Sequence, residues 1–489
     1  MRTRVGWVAL LLTATAVTGG TVALAAPAPA PTLAPAPGPA PTHQVTAVVT
    51  YRGQVPVRAS GVALLDAFPR VGAELVRATP TALARLARDP RVLGIAPDSR
   101  LRVAGHDDSS GSGVLAPDTL GGTAGTPHAG AGVNIALLDT GVSDTAALSR
   151  DSGRITDGVD VSQLAQGGPA LTSGQFTDGY GHGTFLASLI AGGQVPGSGN
   201  RALGVAPAAR IVVVKVADNE GNTSLSEVLA GLDWVAAHAR AINIVTIALA
   251  QPRPQDAYGA DPLTAAIEHV RAAGVLPVVA AGNTAGQLTD PGLDPFALTV
   301  GAADTTLDTP AVADFSGSGV AAGVAKPDLV AAGVGVLGLL SPDSVIAQAH
   351  PQGWQPDGLF RGSGTSEATA IASGAAAVFL SEHPDASVRA VKASLRAAAE
   401  PLDGDNAAAG AGLLALADRV EHGAVAAGEA NFDPNVWAAN AWLGGSWEQW
   451  LSSSWSSSSW SSSSWSASSW SASSWSSSSW SDQSWGAGS

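Results

Sequence analysis

Short apolar runs alternate with segments of helical periodicity in the central part of the chain, and this alternation constrains the fold most strongly. Residues 133–138 and 210–216 have the length and composition of buried strands. Residues 225–240 carry apolar side chains at helical spacing, with Ser224 and Glu227 placed as a capping box. Three further segments repeat the alternation: residues 242–249, 263–273 and 275–281. This repetition predicts an α/β fold with a mostly parallel sheet, in which ligands lie at the carboxyl ends of the strands.

Composition removes several classes of function. The chain has no cysteine, which excludes disulfides, cysteine-bound zinc, iron–sulfur clusters and cysteine nucleophiles. Only 13% of the residues are charged, and the formal net charge of -15 disfavours a nucleic-acid partner, because phosphate binding needs clustered Lys and Arg. The 489 residues, 45% of them hydrophobic, are enough for two or three units with a sizeable core.

The N-terminal segment, residues 1–26, has the pattern of an export signal. It begins with Arg2 and Arg4, continues through an apolar run and ends in small residues. A retained membrane helix is the alternative, but Gly19, Gly20 and the Ala-rich end favour cleavage. The protein is therefore expected to be secreted or associated with the cell surface.

Three segments of different character separate this signal from the α/β region. Residues 27–42 alternate Ala and Pro, which is typical of an extended spacer. Residues 43–103 combine strand-like stretches with a short helical one, and predict a small α+β unit. About sixty residues are marginal for independent stability, so this unit is expected to dock on something larger. Residues 104–130 are rich in Gly, Ser and Asp and predict a flexible connector.

The C-terminal segment, residues 426–489, is a low-complexity Trp/Ser tail. From Trp450 to Trp485 a tryptophan recurs every five residues in a serine background. This period matches neither a strand nor a helix, so no single face can be buried. Two interpretations stay open: a disordered extension, or exposed indoles that attach the protein to cell-wall, polysaccharide or membrane material.

Four polar residues stand at strand ends or helix starts of the α/β region. Asp139 ends the run VNIALLDTG, and His182 lies between glycines at the head of the apolar segment GHGTFLASLIAG. Ser366 follows the glycine-rich turn RGSGTS and opens a segment of small residues, and Asn283 ends GVLPVVAAGN. A serine becomes a nucleophile when a base takes its proton and a third group fixes that base. The amide of Asn283 has the chemistry to donate to an oxyanion.

Each of these features alone has a structural explanation, and two other protease classes share part of the pattern. Asp-Thr-Gly after an apolar run also occurs in aspartic proteases, but this chain has one such motif and its α/β alternation contradicts an all-β fold. A zinc protease is excluded because there is no His-Glu-x-x-His and no second histidine near His182 at ligand spacing.

Taken together, the four segments resemble the subtilisin-like serine proteases, or subtilases, from about residue 132 to about residue 425. The order Asp, His, Ser is the triad order of that family. The resemblance implies that Asp139 orients the base, that His182 is the general base, and that Ser366 is the nucleophile. It also implies that Asn283 and the backbone N–H of Ser366 hold the oxyanion. The implied fold is a subtilisin-like three-layer α/β domain over residues 131–425.

The resemblance extends to the segment upstream and to partners. Residues 43–103 are similar to the inhibitory propeptide of the family, which implies a zymogen that processes itself and is blocked by its own propeptide. The implied substrates are proteins or peptides. Family members often bind calcium, although no Asp-rich loop here has recognisable ligand spacing, and no other cofactor is implied.

The presumed substrate groove departs from the family pattern. The strand that lines it in the family ends in Ser-x-Gly, whereas this chain has Ala248, Leu249 and Ala250. The missing glycine predicts a narrower groove at the place where substrate backbone pairs. The opposite wall resembles three consecutive residues: Gly221, Asn222 and Thr223.

The segment after the nucleophile also departs from the pattern. Where the family has an apolar residue and, three positions later, a proline, this chain has Glu367 and Ala370. A carboxylate left buried without a partner is costly, so Glu367 is expected to be hydrated, paired or protonated, and to affect His182.

Two functions of different class remain open at this stage. The first is a secreted serine endopeptidase that acts through an acyl-enzyme. The second is a catalytically weak or inactive subtilase-like scaffold that presents the Trp/Ser tail for attachment or binding. The presence of all four catalytic residue types favours the enzyme.

Overall fold

The structure is a computed structural model that describes seven ranges of the chain: residues 43–52, 59–103, 113–195, 202–252, 261–321, 323–403 and 407–416. The expected export signal, the Ala/Pro spacer and the Trp/Ser tail lie outside these ranges. Among the described residues, no helix has the length and hydrophobicity to span a bilayer.

The helices of the described residues are α1 (Pro80–Leu86), α2 (His182–Ala191), α3 (Leu225–Ala237), α4 (Pro262–Ala272), α5 (Val345–Ala349), α6 (Thr365–Glu382) and α7 (Val388–Ala398). The strands of the first half are β1 (Val45–Tyr51), β2 (Val62–Phe68), β3 (Ala73–Ala78), β4 (Val92–Pro97), β5 (Arg100–Val103), β6 (Val114–Leu115), β7 (Asn134–Asp139), β8 (Ile155–Asp160), β9 (Arg210–Lys215), β10 (Asn222–Ser224) and β11 (Ile244–Ile247). The remaining strands are β12 (Leu249–Pro252), β13 (Leu276–Ala280), β14 (Thr289–Asp290), β15 (Leu298–Asp304), β16 (Ala311–Val312), β17 (Gly319–Ala321), β18 (Val324–Lys326), β19 (Leu329–Ala332), β20 (Val336–Gly338) and β21 (Phe360–Gly362).

An eight-stranded sheet forms the centre of the larger body. Its order is β16-β15-β13-β11-β7-β9-β8, with β19 also paired to β15. The strands run parallel except for β16. Because successive side chains of a strand point to opposite faces, Leu137 joins the core that contains α2 and α6, whereas Leu138 joins the core that contains α3 and α4. The predicted α/β fold with a mostly parallel sheet is confirmed, and the helices cover the sheet on both faces.

Helix α3 begins as the sequence predicts. The Ser224 hydroxyl accepts a hydrogen bond from the backbone N–H of Glu227 at 3.3 Å, and Glu227 accepts one from the Ser224 N–H at 2.8 Å. This reciprocal pair satisfies two donors that a helix start leaves open.

The expected strand over residues 242–249 is divided in the structure. Strand β11 belongs to the central sheet, whereas β12 leaves it and joins a second sheet of order β10-β5-β12-β14. The division falls at Ala248, immediately beyond the carboxyl end of β11. The apolar pattern alone predicts one strand because both halves are buried.

The small upstream unit has an antiparallel sheet of order β2-β3-β1-β4. One face of this sheet forms a core with α1. Phe68 and Leu75 from the other face, and Val71 from the turn between β2 and β3, join the core around α3 and α4. The carboxylate of Asp98 accepts hydrogen bonds from the N–H and hydroxyl of Ser226, in the first turn of α3, at 2.8 and 2.9 Å. The expected docking of residues 43–103 on a larger body is therefore present in the fold.

The part of the expected connector that the structure describes, residues 113–130, is folded onto the larger body. Strand β6 pairs in parallel with β20, and Ala116, Leu120 and Ala129 are buried in the core that contains α2 and α6. The expectation of a flexible connector was wrong for this part. The glycine-rich composition of this segment predicts a loop, but its few apolar residues are enough to pack it onto the core.

Candidate active site

Asp139 and His182 meet at the carboxyl edge of the central sheet. Asp139 is the last residue of β7, and His182 is the first residue of α2. Both carboxylate oxygens of Asp139 lie 2.9 Å from Nδ1 of His182, and both side chains are 1% exposed. The other ring nitrogen, Nε2, is buried and has no hydrogen-bond partner among the described residues. A ring held through Nδ1 presents Nε2 as an acceptor for an incoming proton.

Close approach of α2 to the turn after β7 makes this contact possible. The hydroxyl of Thr140 accepts a hydrogen bond from the N–H of Gly183 at 3.0 Å and donates to Asp139 at 3.1 Å. A Cβ at Gly183 would lie 2.2 Å from the carbonyl oxygen of Gly141, and Gly141 itself has a φ of +105°. The glycines of Asp-Thr-Gly and His-Gly are therefore required by the turn and by the packing.

Asp178 orients the start of α2, although no sequence motif pointed to this residue. One of its carboxylate oxygens accepts from the N–H groups of Tyr180 and Gly181 at 3.0 and 2.7 Å. The other accepts from the N–H and hydroxyl of Thr184, both at 2.8 Å. The N-cap residue of α2 is Gly181, which has no side chain to cap the helix. The carboxylate of Asp178 caps the helix instead. The sequence feature that could have identified Asp178 is an acidic residue shortly before a helix whose N-cap residue is glycine.

Electrostatics at His182 favour the protonated ring. Burial alone would lower the pKa of His182, but the carboxylates of Asp139, Glu367 and Asp178 outweigh it and raise the pKa above its ordinary value. The ring is therefore a stronger base than a histidine in water.

Ser366 and Asn283 are linked through Thr365. Ser366 is the second residue of α6, which packs against α2, and its side chain is buried. The N–H and hydroxyl of Thr365 donate to Oδ1 of Asn283 at 2.9 and 2.8 Å. The amide nitrogen Nδ2 of Asn283 is buried and has no partner among the described residues. An amide fixed by its oxygen beside the start of α6 leaves its N–H groups available to a ligand oxygen.

The predicted substrate residues lie on, or directly before, the two strands that flank β5. Asn222 and Thr223, on β10, pair with Arg102 and Leu101. Leu249, on β12, pairs with Val103 in antiparallel register. Gly221 directly precedes β10, and Ala248 directly precedes β12. The structure therefore brings both predicted walls together around one strand of the upstream unit.

Ala250 does not keep a strand out of this groove. It pairs with Arg102 and is buried, so its methyl group fits beside the seated strand. The narrower groove that was predicted from Ala250 is therefore compatible with backbone pairing of a strand along it.

Glu367 and Ala370 are both fully buried in α6. Burial removes Glu367 from bulk solvent.

In the part of the chain that the structure describes, no group of three or more His, Cys, Asp or Glu side chains is arranged to hold a metal ion.

Comparison with known proteins gives a consistent result. Residues 130–413 match the model of the Subtilase family. The chain is 32% identical over 284 residues to the serine protease AprX of Bacillus subtilis, a match that covers 55% of this chain and 61% of AprX. It is 30% identical over 278 residues to subtilisin Savinase of Lederbergia lenta, covering 57% of this chain and 87% of that protein.

Among solved structures, the chain is similar to fervidolysin of Fervidobacterium pennivorans, described as a keratinolytic enzyme related to subtilisin. The TM-score is 0.60 at 20% sequence identity, and the match covers 79% of this chain and 62% of fervidolysin. At this identity the likeness supports the fold. The matches span less than two thirds of the length of AprX and of fervidolysin.

Proposed function

The chain belongs to the subtilase family, and on that premise we propose that it is a serine endopeptidase with Ser366 as nucleophile and His182 as general base. The observation that carries the proposal is the buried contact of Asp139 with Nδ1 of His182, which leaves Nε2 without a described partner. Hydrolysis of an unfolded protein substrate by the purified, processed protein tests it. A scaffold that only presents the tail would leave such a substrate intact.

The proposed reaction proceeds through an acyl-enzyme. Nε2 of His182 takes the proton of the Ser366 hydroxyl while the oxygen attacks the scissile carbonyl carbon. Asp139 holds the imidazolium that forms. His182 then gives the proton to the leaving amine, and a water molecule, deprotonated by the same ring, hydrolyses the ester. The carbonyl oxygen carries negative charge in both tetrahedral intermediates.

Asn283 is proposed to hold that charge together with the backbone N–H of Ser366. Oδ1 of Asn283 accepts two hydrogen bonds from Thr365, which fixes the amide, and the donor Nδ2 has no partner among the described residues. Removing such a donor lowers kcat by about a hundredfold or more in subtilisin-type enzymes, and the same loss is expected here for Asn283→Ala.

Active-site titration of the Asn283→Ala protein separates turnover from the fraction folded. The variant is expected to keep a titratable serine and a KM close to that of the parent, since the residue acts mainly in the transition state. A turnover equal to the parent's would remove Asn283 from the oxyanion site.

Residues 43–103 are proposed to be an inhibitory propeptide. Strand β5 fills the groove between β10 and β12, where an extended substrate would pair. Leu101 is 1% exposed and joins the core around Leu225 and Leu249. Because β5 occupies the groove and excludes other substrates, the full chain is proposed to be a zymogen. The pattern of residues 1–26 supports the further proposal that this zymogen is secreted, with that segment as its export signal.

The Trp/Ser tail is proposed to attach the enzyme to cell-wall or polysaccharide material. Weak stacking by indoles repeated along one tether adds to useful avidity. A protein that ends near residue 430 is expected to keep its rate on a soluble peptide but to lose retention on such material in a sedimentation assay. The family match ends at residue 413, so the truncation leaves the peptidase region whole. Equal retention of both forms would contradict the attachment role.

A further inference from the structure

The side chain of Glu367 lies between α6 and α2, next to the proposed nucleophile. A Cβ at Gly362 would come within 2.8 Å of its Oε1 and, equally, within 2.8 Å of the ring of Phe185. Phe185 lies one turn after His182 on α2. The carboxyl group is therefore enclosed by the helix that carries the proposed base and by β21.

Glu367 is a buried acid that forms no salt bridge with any described residue. Neither carboxyl oxygen has a hydrogen-bond partner elsewhere in the described part of the chain. By contrast, the buried carboxylate of Asp328 accepts from Lys326 at 2.8 Å and from the N–H of Thr299 at 2.9 Å. Burial raises the pKa of Glu367 to about 7, against the opposing effects of His182 and of its own backbone N–H.

His182 is the titratable group that most strongly opposes this shift, and the effect is mutual. The charge of Glu367 raises the pKa of His182 after the contribution of Asp139 and ahead of that of Asp178. Asp139 in turn raises the pKa of Glu367. Strand β21 also carries a cation, the partly buried Arg361, next to Gly362.

We propose that Glu367 is a positioning residue for the proton of His182, and that it sets the lower pH limit of the enzyme. The proposal rests on the assignment of His182 as general base. Both side chains are buried, and the Glu367 carboxyl lies beside the ring of Phe185 on the helix that begins with His182, so a proton gained by one group changes the energy of a proton on the other.

The direction of the effect follows from the charges. When Glu367 is ionised, its negative charge stabilises the imidazolium form of His182. The imidazolium is therefore lost at a higher pH than with Asp139 and Asp178 alone. An imidazolium cannot accept the Ser366 proton, so His182 acts as a base only when its ring is neutral. The acidic limb of the kcat/KM profile is thus displaced toward alkaline pH.

Glu367→Gln tests this, because the amide has the same shape and no charge. We expect the acidic limb to move to lower pH, so that the ratio of kcat/KM at pH 6 to its plateau rises by about tenfold, as for removal of one close charge. Glu367→Met, which also removes the polar group, is expected to shift the limb in the same direction. The matched control is Glu268→Gln: Glu268 is a buried acid on α4 whose pKa is raised to about 8, and it pairs with Arg271. Its loss should leave the limb in place.

A titration of His182 by NMR in the uncleaved Ser366→Ala chain separates this proposal from the protease assignment. With Glu367 present, the ring is expected to respond to two protonation steps. In the double variant with Glu367→Gln it should titrate in one step, at lower pH. An unchanged His182 titration would overturn the role of Glu367 whether or not the protein hydrolyses peptides. A shifted titration in a protein that hydrolyses nothing would support the coupling and contradict the proposed function instead.

Discussion

A Ser366→Ala protein is expected to hydrolyse no peptide above background, and His182→Ala is expected to be equally inactive. The nucleophile and its base act as one unit, so the loss of either removes nearly the whole effect. The measurement is kcat on a soluble peptide after removal of the upstream unit, with folding checked by circular dichroism.

Ser373→Ala provides the matched control. Ser373 is also a buried serine of α6, and it donates to the carbonyl of Thr369 at 2.8 Å and accepts from Thr246 at 2.8 Å, away from His182. Its loss is expected to lower stability and to leave kcat nearly unchanged. Comparable losses in the Ser366 and Ser373 variants would mean that α6, and not the Ser366 hydroxyl, is what the assay reports.

The parent protein is expected to cleave itself, and loss of the Ser366 hydroxyl is expected to abolish this cleavage completely. The parent is expected to be cut between Val103 and Val114, because β5 ends in the groove at Val103 and β6, which begins at Val114, is paired with β20 of the larger body. The Ser366→Ala protein should stay joined across this segment after removal of the signal, as N-terminal sequencing of the secreted protein will show.

Addition of processed parent to the Ser366→Ala chain controls for cleavage by a second molecule. Cleavage at the same bond in that mixture would show that the segment is accessible and that the variant lacks only its own nucleophile. A Ser366→Ala protein that reaches the parent's N-terminus without added enzyme would show that another protease does the processing.

The sequence predicted the central fold because that fold depends on local patterns, and the four segments of the candidate site were likewise identified from local patterns. Alternation of apolar runs and helical segments is enough to predict parallel strands, and the glycines beside Asp139 and His182 are demanded by the turn and by helix packing. The capping box at Ser224 is equally local.

Other features depend on contacts between distant segments, and the sequence could not supply these. Strand β12, which is separated from β11, pairs with β5 of the upstream unit and with β14. The folding of residues 113–130 onto the larger body depends on β20. Asp178 acts through the fold of its own loop, which has no recognised motif. The sequence shows that Glu367 stands where the subtilase family has an apolar residue, but only the structure shows that its carboxyl is enclosed beside α2.

Reaction of the processed protein with a fluorophosphonate, followed by mass spectrometry, tests the central claim most directly, since such a reagent modifies only a serine activated by a base. The account predicts one adduct, on the peptide that contains Ser366, and no adduct in the His182→Ala protein. A folded, processed protein with no adduct, or with its adduct on another residue, would contradict the assignment of Ser366 and His182 as nucleophile and base.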